Sequence, residues 1–211
     1  MLKNKMIFPQ NVEKYITLQC NGDKFLYTDF PEYKAIKNWL PKNPKYALDI
    51  GCGIGRASVW FHKNLQWDTK FFLYDGNSGE KQIDEIGDGG RKYYNSIVAT
   101  ESFVSENGLK YEVLNAEAKI GFLPPIDLAY SFLAFGFHWP VWYCLNIVDK
   151  WLAGGCVVIF GIRGIEKKRW INEQISKIPK NYKIRHFSLV KTSERKSVLV
   201  LEKEHGKMEN S

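Results

Sequence analysis

The sequence predicts an α/β fold: a mostly parallel sheet of seven strands with helices on both faces and an antiparallel pair at its end. Three observations predict it. From residue 45 onward, short β-rich runs alternate with helix-length segments, the arrangement that a parallel sheet with crossover helices requires. The first run ends in glycines at alternate positions, Gly51, Gly53 and Gly55, immediately before a helical segment. The last two runs flank Lys191-Thr-Ser-Glu-Arg-Lys196, which reads as a polar hairpin connection.

Taken in order, residues 45–50 (Lys-Tyr-Ala-Leu-Asp-Ile) form the first strand, and 56–65 form a helix after the glycine turn. A second strand covers 69–74. Residues 79–90 are rich in Gly and Asp and read as irregular, after which 91–106 carries Tyr94, Ile97, Val98 and Phe103 at helical spacing. Asn107-Gly108 is its expected C-terminal cap. The third strand is 110–114 and the fourth 126–131, the latter preceded by the Pro124-Pro125 break. A helix over 140–152 is expected to stop at Gly154-Gly155, before a wholly apolar strand at 156–161 whose composition suits a central position. A last helix at 166–177 ends before Pro179, and strands at 182–190 and 197–202 close the chain. The reading is of five βα units followed by the antiparallel pair. Residues 1–30 are expected as an N-terminal cap segment, 31–203 as the domain and 204–211 as a polar tail. No internal repeat or low-complexity segment interrupts the pattern.

Composition bounds the function. A chain of 211 residues, 45% hydrophobic, 15% aromatic and 25% charged, suits one globular domain with a short appendage, not a disordered or fibrous protein. Asp49, Arg56, Asp75, Asp127, Asp149 and Arg163 interrupt every apolar stretch, so none approaches the ~18 residues a bilayer span needs. A soluble protein with no membrane span is expected. Residues 1–9 carry too short an apolar run for a signal-peptide core, and the expectation is a cytoplasmic location. Cys20, Cys52, Cys144 and Cys156 have no Cys-x-x-Cys pairing and no histidine pair at zinc-ligand spacing, so they read as reduced thiols and no metal is expected. The net charge of +7 is concentrated. Eleven Lys/Arg against three Glu lie between Arg163 and Lys196, which suits either a solvated face or an anionic partner.

Ala47-Leu-Asp-Ile-Gly-Cys-Gly-Ile-Gly-Arg56 is the most informative stretch. Glycines between a strand and a helix let the backbone approach a ligand closely. A dinucleotide site needs Gly-x-Gly-x-x-Gly, but the third position is Arg56, and Asp49 would repel a diphosphate. No Gly-Lys-Ser/Thr is present to form a triphosphate loop. The site would tolerate a ligand with a positive charge and no phosphates.

Here the sequence resembles the class I S-adenosylmethionine-dependent methyltransferases, whose first motif is an acidic residue followed by Gly-x-Gly-x-Gly. Asp49, Gly51, Gly53 and Gly55 match it, with Cys52 inside the turn. Asp75 and Gly76 end the second strand where that family places the carboxylate for the ribose hydroxyls, a task suited to a group that accepts two hydrogen bonds side by side. Asn115-Ala116 stands where the family often has Asp-Ala against adenine, and Leu152-Ala-Gly-Gly-Cys-Val-Val-Ile159 resembles its Leu-x-Pro-Gly-Gly turn. The resemblance covers residues 40–203 and implies a Rossmann-like class I methyltransferase sandwich with S-adenosyl-L-methionine as cofactor and S-adenosyl-L-homocysteine as product. It adds Ser131, at the end of the fourth strand, to the cofactor-binding set.

Ligands of open α/β sheets bind beyond the carboxyl ends of the strands. The loop after the fourth strand, Ser131-Phe-Leu-Ala-Phe-Gly-Phe-His-Trp-Pro140, is therefore the expected acceptor side. Phe132, Phe135, Phe137 and Trp139 would wall a pocket. His138 would serve as general base for an acceptor hydroxyl, or else cap the next helix or pack under Trp139. The loop lacks the Asp/Asn-Pro-Pro-aromatic motif of base amino-methyltransferases, and Cys144 lies too far along for a cytosine-carbon nucleophile. Tyr74-Asp-Gly76, Tyr93-Tyr-Asn-Ser96 and Gly136-Phe-His-Trp-Pro140 are similar to segments of sugar O-methyltransferases of bacteria and phages. That implies a small-molecule or glycan hydroxyl as acceptor, with Tyr94 and Asn95 turned toward it. Two alternatives stay open: an RNA-directed methyltransferase using the basic segment, and a non-catalytic cofactor-binding protein.

Overall fold

The computed structural model describes residues 6–12, 30–76, 96–132, 134–136, 139–162, 168–190 and 196–206. After a 3-10 turn at Gln10–Val12, its elements are α1 (Tyr33–Ile36), β1 (Tyr46–Ile50), α2 (Arg56–Leu65), β2 (Lys70–Asp75) and α3 (Ile97–Glu106). There follow β3 (Lys110–Asn115), β4 (Ile126–Ser131), α4 (Val141–Val148), a 3-10 turn at Asp149–Trp151, β5 (Leu152–Ile162), α5 (Lys168–Ser176), β6 (Tyr182–Val190) and β7 (Lys196–Lys203). The strands form one seven-stranded sheet in the order β3-β2-β1-β4-β5-β7-β6. β2 runs parallel to β3 and β4 parallel to β5, whereas β7 is antiparallel to both β5 and β6. Among the described residues no helix is long and apolar enough to cross a membrane.

The chain divides into two compact units, Met1–Phe30 with Leu48–Gly121, and Pro31–Ala47 with Phe122–Ser211. In the first, Leu48, Ile50, Phe71, Phe72 and Leu73 on the strands and Val59, Phe61, Phe103 and Val104 on the helices are fully buried. These near-continuous apolar runs are what a parallel sheet covered on both faces demands. Asn107, the C-cap of α3, accepts from Ile7 N–H at 2.9 Å and donates to the carbonyls of Ile7 and Phe103 at 2.7 and 2.8 Å, tying the described N-terminal residues to the helix end. Phe8 stacks on Phe103. In the second unit, Leu128, Ala129 and Tyr130 on β4, Val158, Ile159 and Phe160 on β5 and Val198 to Leu201 on β7 form the core. Asp127 Oδ2 accepts from the N–H groups of Lys45 and Tyr46 at 2.9 and 3.0 Å, fixing the entry to β1.

Strands 126–131 and 182–190 have the expected bounds, and the others shift by one or two residues at their ends apart from the fifth. Three expectations are corrected. The helix expected over 140–152 ends at Val148, and β5 begins at Leu152, so Gly154-Gly155 lies inside a strand rather than in a turn. The reason is tertiary: a Cβ on Gly154 would stand 2.8 Å from His205 Nδ1, and one on Gly155 3.0 Å from His205 Nε2, so the glycines make room for that ring. The helix expected over 91–106 starts at Ile97 because Ser96, in extended conformation, caps it by accepting from Ala99 N–H; residues 91–95 lie outside the described ones. Finally, 116–125 holds no helix, so four strands rather than five are followed by one before the next strand.

The second unit is pinned at Asp149. Its carboxylate accepts from Tyr182 Oη at 2.5 Å and Asn181 Nδ2 at 3.0 Å, while Lys203 Nζ donates to the carbonyls of Asp149 and Leu152 at 2.7 and 3.1 Å. These contacts hold the carboxyl of Asp149 below the usual carboxylate range against the opposing effect of burial, and the phenol of Tyr182 is pushed up by burial and by its anionic partner. Tyr182→Phe removes a hydrogen bond to a charged group from the junction of α4, β5 and β6. It is expected to cost about 1.5–3 kcal/mol, read as a lower Tm with an unchanged far-UV spectrum.

Candidate functional site

The first unit brings the predicted glycine turn and the end of β2 together. Gly51, Gly53 and Gly55 all have positive φ, of 67°, 55° and 83°. At Gly55 the requirement is double. An added Cβ would be strained by φ and would stand 2.7 Å from Val104 Cγ1 of α3, so this glycine lets α3 pack against the start of α2. Gly51 N–H donates to Tyr74 carbonyl at 2.7 Å and Gly55 N–H to Cys52 carbonyl at 2.9 Å, which winds the turn tightly onto β2.

Asp75 closes the arrangement. One carboxylate oxygen accepts from Gly53 N–H at 2.7 Å and the other from Gly76 N–H at 2.7 Å, so a single side chain spans the glycine turn and the loop after β2. Its backbone carbonyl accepts from Ala116 N–H at 2.8 Å, and in the sheet register Asp75 stands beside Asn115. Asn115 Oδ1 accepts from Glu117 N–H at 2.9 Å, a side-chain turn that shapes the exit of β3. Asp49 lies beneath the turn, 3% exposed, and accepts from Ser58 Oγ of α2 at 2.7 Å. Thr100 of α3 donates from Oγ1 to Gly53 carbonyl at 3.0 Å.

Two carboxylates in one partly dry region change the electrostatics. Burial raises the Asp49 carboxyl well above the usual carboxylate range, to about 7, with Asp75 adding to the rise and the Ser58 hydrogen bonds opposing it. Burial likewise raises Asp75 to about 6, against the two backbone N–H donors that favour its anion. Arg56, the first residue of α2, sits with its guanidinium 6.0 Å from the centre of the Phe30 ring. The seat thus combines close backbone with two acids that a positive ligand charge would stabilise. The thiol of Cys52 is buried, its Sγ 3.2 Å from Gly53 carbonyl, and burial and both acids push its pKa up, so it is an inert packing group. Among the described residues no three His, Cys, Asp or Glu side chains gather to hold a metal.

In the second unit, Ser131 is fully buried and its Oγ accepts from Phe135 N–H at 3.1 Å. Phe132 and Phe135 are each 7% exposed; Phe132 packs on Tyr130, and Phe135 lies tilted against Trp139 at 5.6 Å. The loop is pressed onto β5: a Cβ on Gly161 would stand 2.9 Å from Phe132 carbonyl, and one on Gly136 3.0 Å from Gly161 carbonyl. Of this group, Trp139 keeps part of its ring exposed. Tyr94, Asn95, Phe137 and His138 lie outside the described residues. Sequence reasoning did not find Ser58, Thr100 or Val104. Each acts across tertiary space, and only Thr100, one turn after the capping Ser96 and bonded to its carbonyl, stood near a readable signal.

Comparison of the sequence with protein-family models and with curated proteins finds no match. Comparison of the structure finds matching solved structures. A methyltransferase from Pyrococcus furiosus matches with TM-score 0.56 and 13% identity over 92% of this chain and 95% of the other. An S-adenosylmethionine-dependent methyltransferase from Mesorhizobium loti matches with TM-score 0.51 and 15% identity over 84% and 100%. The tRNA methyltransferase TrmK of B. subtilis matches with TM-score 0.53 and 11% identity over 82% and 65%. The likeness is one of fold: the Rossmann-like sandwich expected from the sequence, shared with methyltransferases.

Two outcomes test the site as built. Gly55→Ala is expected to lower stability by about 2–4 kcal/mol, combining the left-handed backbone penalty with overpacking against Val104. Adding Val104→Ala should return part of that loss, a coupling readable in urea unfolding. The raised carboxyl groups bind protons more tightly in the folded chain than in the unfolded one. Their contribution is therefore complete below about pH 4 and declines as pH rises through 6 and 7. Asp49→Asn, which keeps an acceptor for Ser58, should flatten the fall in Tm between pH 5 and 8, and an unchanged slope would show that Asp49 is not its source.

Proposed function

We propose that this chain is an S-adenosylmethionine-dependent methyltransferase. The observation that carries the reading is the carboxylate of Asp75, held at the end of β2 by the N–H groups of Gly53 and Gly76. The residues present fit that cofactor. The three positive-φ glycines keep side chains out of the seat, and Asp49 and Asp75 supply negative charge suited to a sulfonium. Arg56 stands where the Gly-x-Gly-x-x-Gly of a diphosphate site requires its last glycine. In this reading Asp75 takes the ribose hydroxyls through the lone pairs its two N–H donors leave, Gly51, Cys52, Gly53, Gly55 and Gly76 form the backbone wall, and Asn115 and Ala116 border the adenine. Asp49 acts from below the turn through charge, Ser131 holds the loop after β4 by accepting from Phe135, and the domain is 31–203. The cofactor supplies a methyl group on a sulfonium that is already a good leaving group.

We assign the acceptor to a hydroxyl of a small molecule or sugar. Trp139, backed by the buried Phe135, offers the flat apolar surface that stacks on a sugar ring, and the sequence resemblance adds Phe137, Tyr94 and Asn95 as acceptor-side residues. His138 takes the hydroxyl proton as attack on the methyl carbon develops. RNA is a second reading of the acceptor, since ribose carries the same hydroxyl chemistry. It is supported by the basic segment from Arg163 to Lys196 and by the fold shared with a tRNA methyltransferase.

Asp75→Asn keeps one acceptor and loses the charge. Its affinity for S-adenosylhomocysteine by calorimetry should fall roughly ten- to hundredfold, as for a lost hydrogen bond to a charged group. Unchanged affinity rejects the assignment. For an acceptor that becomes labelled from cofactor, His138→Ala should lower turnover by roughly 10²–10⁴ with cofactor affinity retained. A histidine that only packs would instead lower Tm and leave turnover nearly intact.

A further inference from the structure

We propose that one face of the β6–β7 edge, with the α1 segment beside it, is a binding surface for single-stranded nucleic acid. β6 is the terminal strand of the sheet, and its register with β7 slips between Ile184 and His186. Before the slip Lys183 stands opposite Glu202, and after it His186 stands opposite Val200. Residues 202 and 200 of β7 share a face, so Lys183 and His186 share it too, and Arg185, the extra residue, joins them with its Nε 3.2 Å from Glu202. The slip thus gathers three nitrogen-bearing side chains on one side of the strand. Ile184 and Phe187, opposite Leu201 and Leu199, fall on the other side.

The face is completed from far away in sequence. The indole of Trp39 stacks on the imidazole of His186, with ring centres 5.4 Å apart and planes 24° apart. Both rings remain partly exposed. Trp39 follows α1, which packs against β7, and the segment 31–47 carries exposed Lys34, Lys37, Lys42 and Lys45, while its single acidic residue, Glu32, is buried. Edge strands commonly carry lysines as protection against strand addition. That role requires neither a stacked indole nor a second basic segment.

A flexible polyanion with flat bases matches this chemistry: Lys34, Lys37 and Lys183 take phosphates while Arg185 is held by Glu202, and the Trp39–His186 pair offers a ring surface for a base. A membrane surface fits less well, because the exposed apolar side chains Ile184 and Phe187 are on the opposite side of the strand. The proposal goes beyond methyl transfer and does not depend on cofactor binding, which calorimetry reads separately. Should both hold, the RNA reading of the acceptor gains a docking surface of its own.

The test uses the full chain without cofactor and labelled 12-nucleotide single strands of RNA and DNA, followed by fluorescence polarisation from 50 to 300 mM salt. Micromolar binding at low salt is expected, with log affinity falling against log salt at a slope of about −2, three cations at ~0.7 each. Lys37→Glu with Lys183→Glu should weaken binding at least tenfold and flatten the slope. Trp39→Phe should weaken it severalfold at unchanged slope and Tm. The relative affinities of RNA and DNA identify which strand the face takes. No binding at 50 mM salt overturns the proposal, as does a charge-reversed variant within twofold of the parent. Equal affinity for duplex overturns the stacking role, and tighter capture by anionic phosphatidylserine vesicles than by either strand reassigns the face to a membrane.

Discussion

The carboxylate of Asp75, shared between the N–H groups of Gly53 and Gly76, is the contact on which the rest of the first unit depends. Without it, a turn with three positive-φ glycines would be among the most entropically costly segments of the chain to order. The side chain joins the exits of β1 and β2, its carbonyl joins the exit of β3 through Ala116, and Thr100 ties the same turn to α3. Asp75 therefore organises three strand ends, and Thr100 adds the helix. The arrangement stores a cost as well: burial raises the pKa values of both Asp75 and Asp49 by leaving them little solvent, and the charge of Asp75 adds to the rise at Asp49. A positive ligand would relieve that cost, which links the stability of the turn to what it holds.

Much of this was legible in the sequence because its signals were local. Asp49 and the alternate glycines could be placed on a strand end and a turn from their spacing, the family resemblance pointed to Asp75 after the next β-rich run, and the polar stretch before Lys196 announced the antiparallel pair. Where the sequence misled, the deciding partner was distant. Gly154-Gly155 reads as a turn until His205, fifty residues later, is seen lying against it. The aromatic loop after β4 reads as an open wall, yet Phe132 and Phe135 are buried because Gly136 and Gly161 let the loop close onto β5. Ser58 under Asp49 and Val104 over Gly55 had no readable signal, since each matters only through a contact made in three dimensions.

The basic character of the C-terminal third shows the same lesson. As a count, eleven cations against three glutamates says little, because solvated lysines are common on surfaces. The strand slip at Arg185 sets two of the eleven, Lys183 and Arg185, beside the Trp39–His186 stack, whose two rings lie 147 positions apart in sequence. The second unit supports that surface through Asp149, Tyr182 and Lys203, whose contacts fix where β6 begins.

The glycine turn and its two acids are proposed to seat a cationic, phosphate-free cofactor. Calorimetric titration of the unmodified chain with S-adenosylmethionine, in two buffers of different ionisation enthalpy between pH 6 and 7, tests it most directly. A sulfonium favours the ionised acids, so binding should release protons, and affinity should rise as pH passes through 6 and 7. A nicotinamide dinucleotide should not bind under the same conditions. Binding of the dinucleotide, or failure to bind S-adenosylmethionine at either pH, would contradict the account.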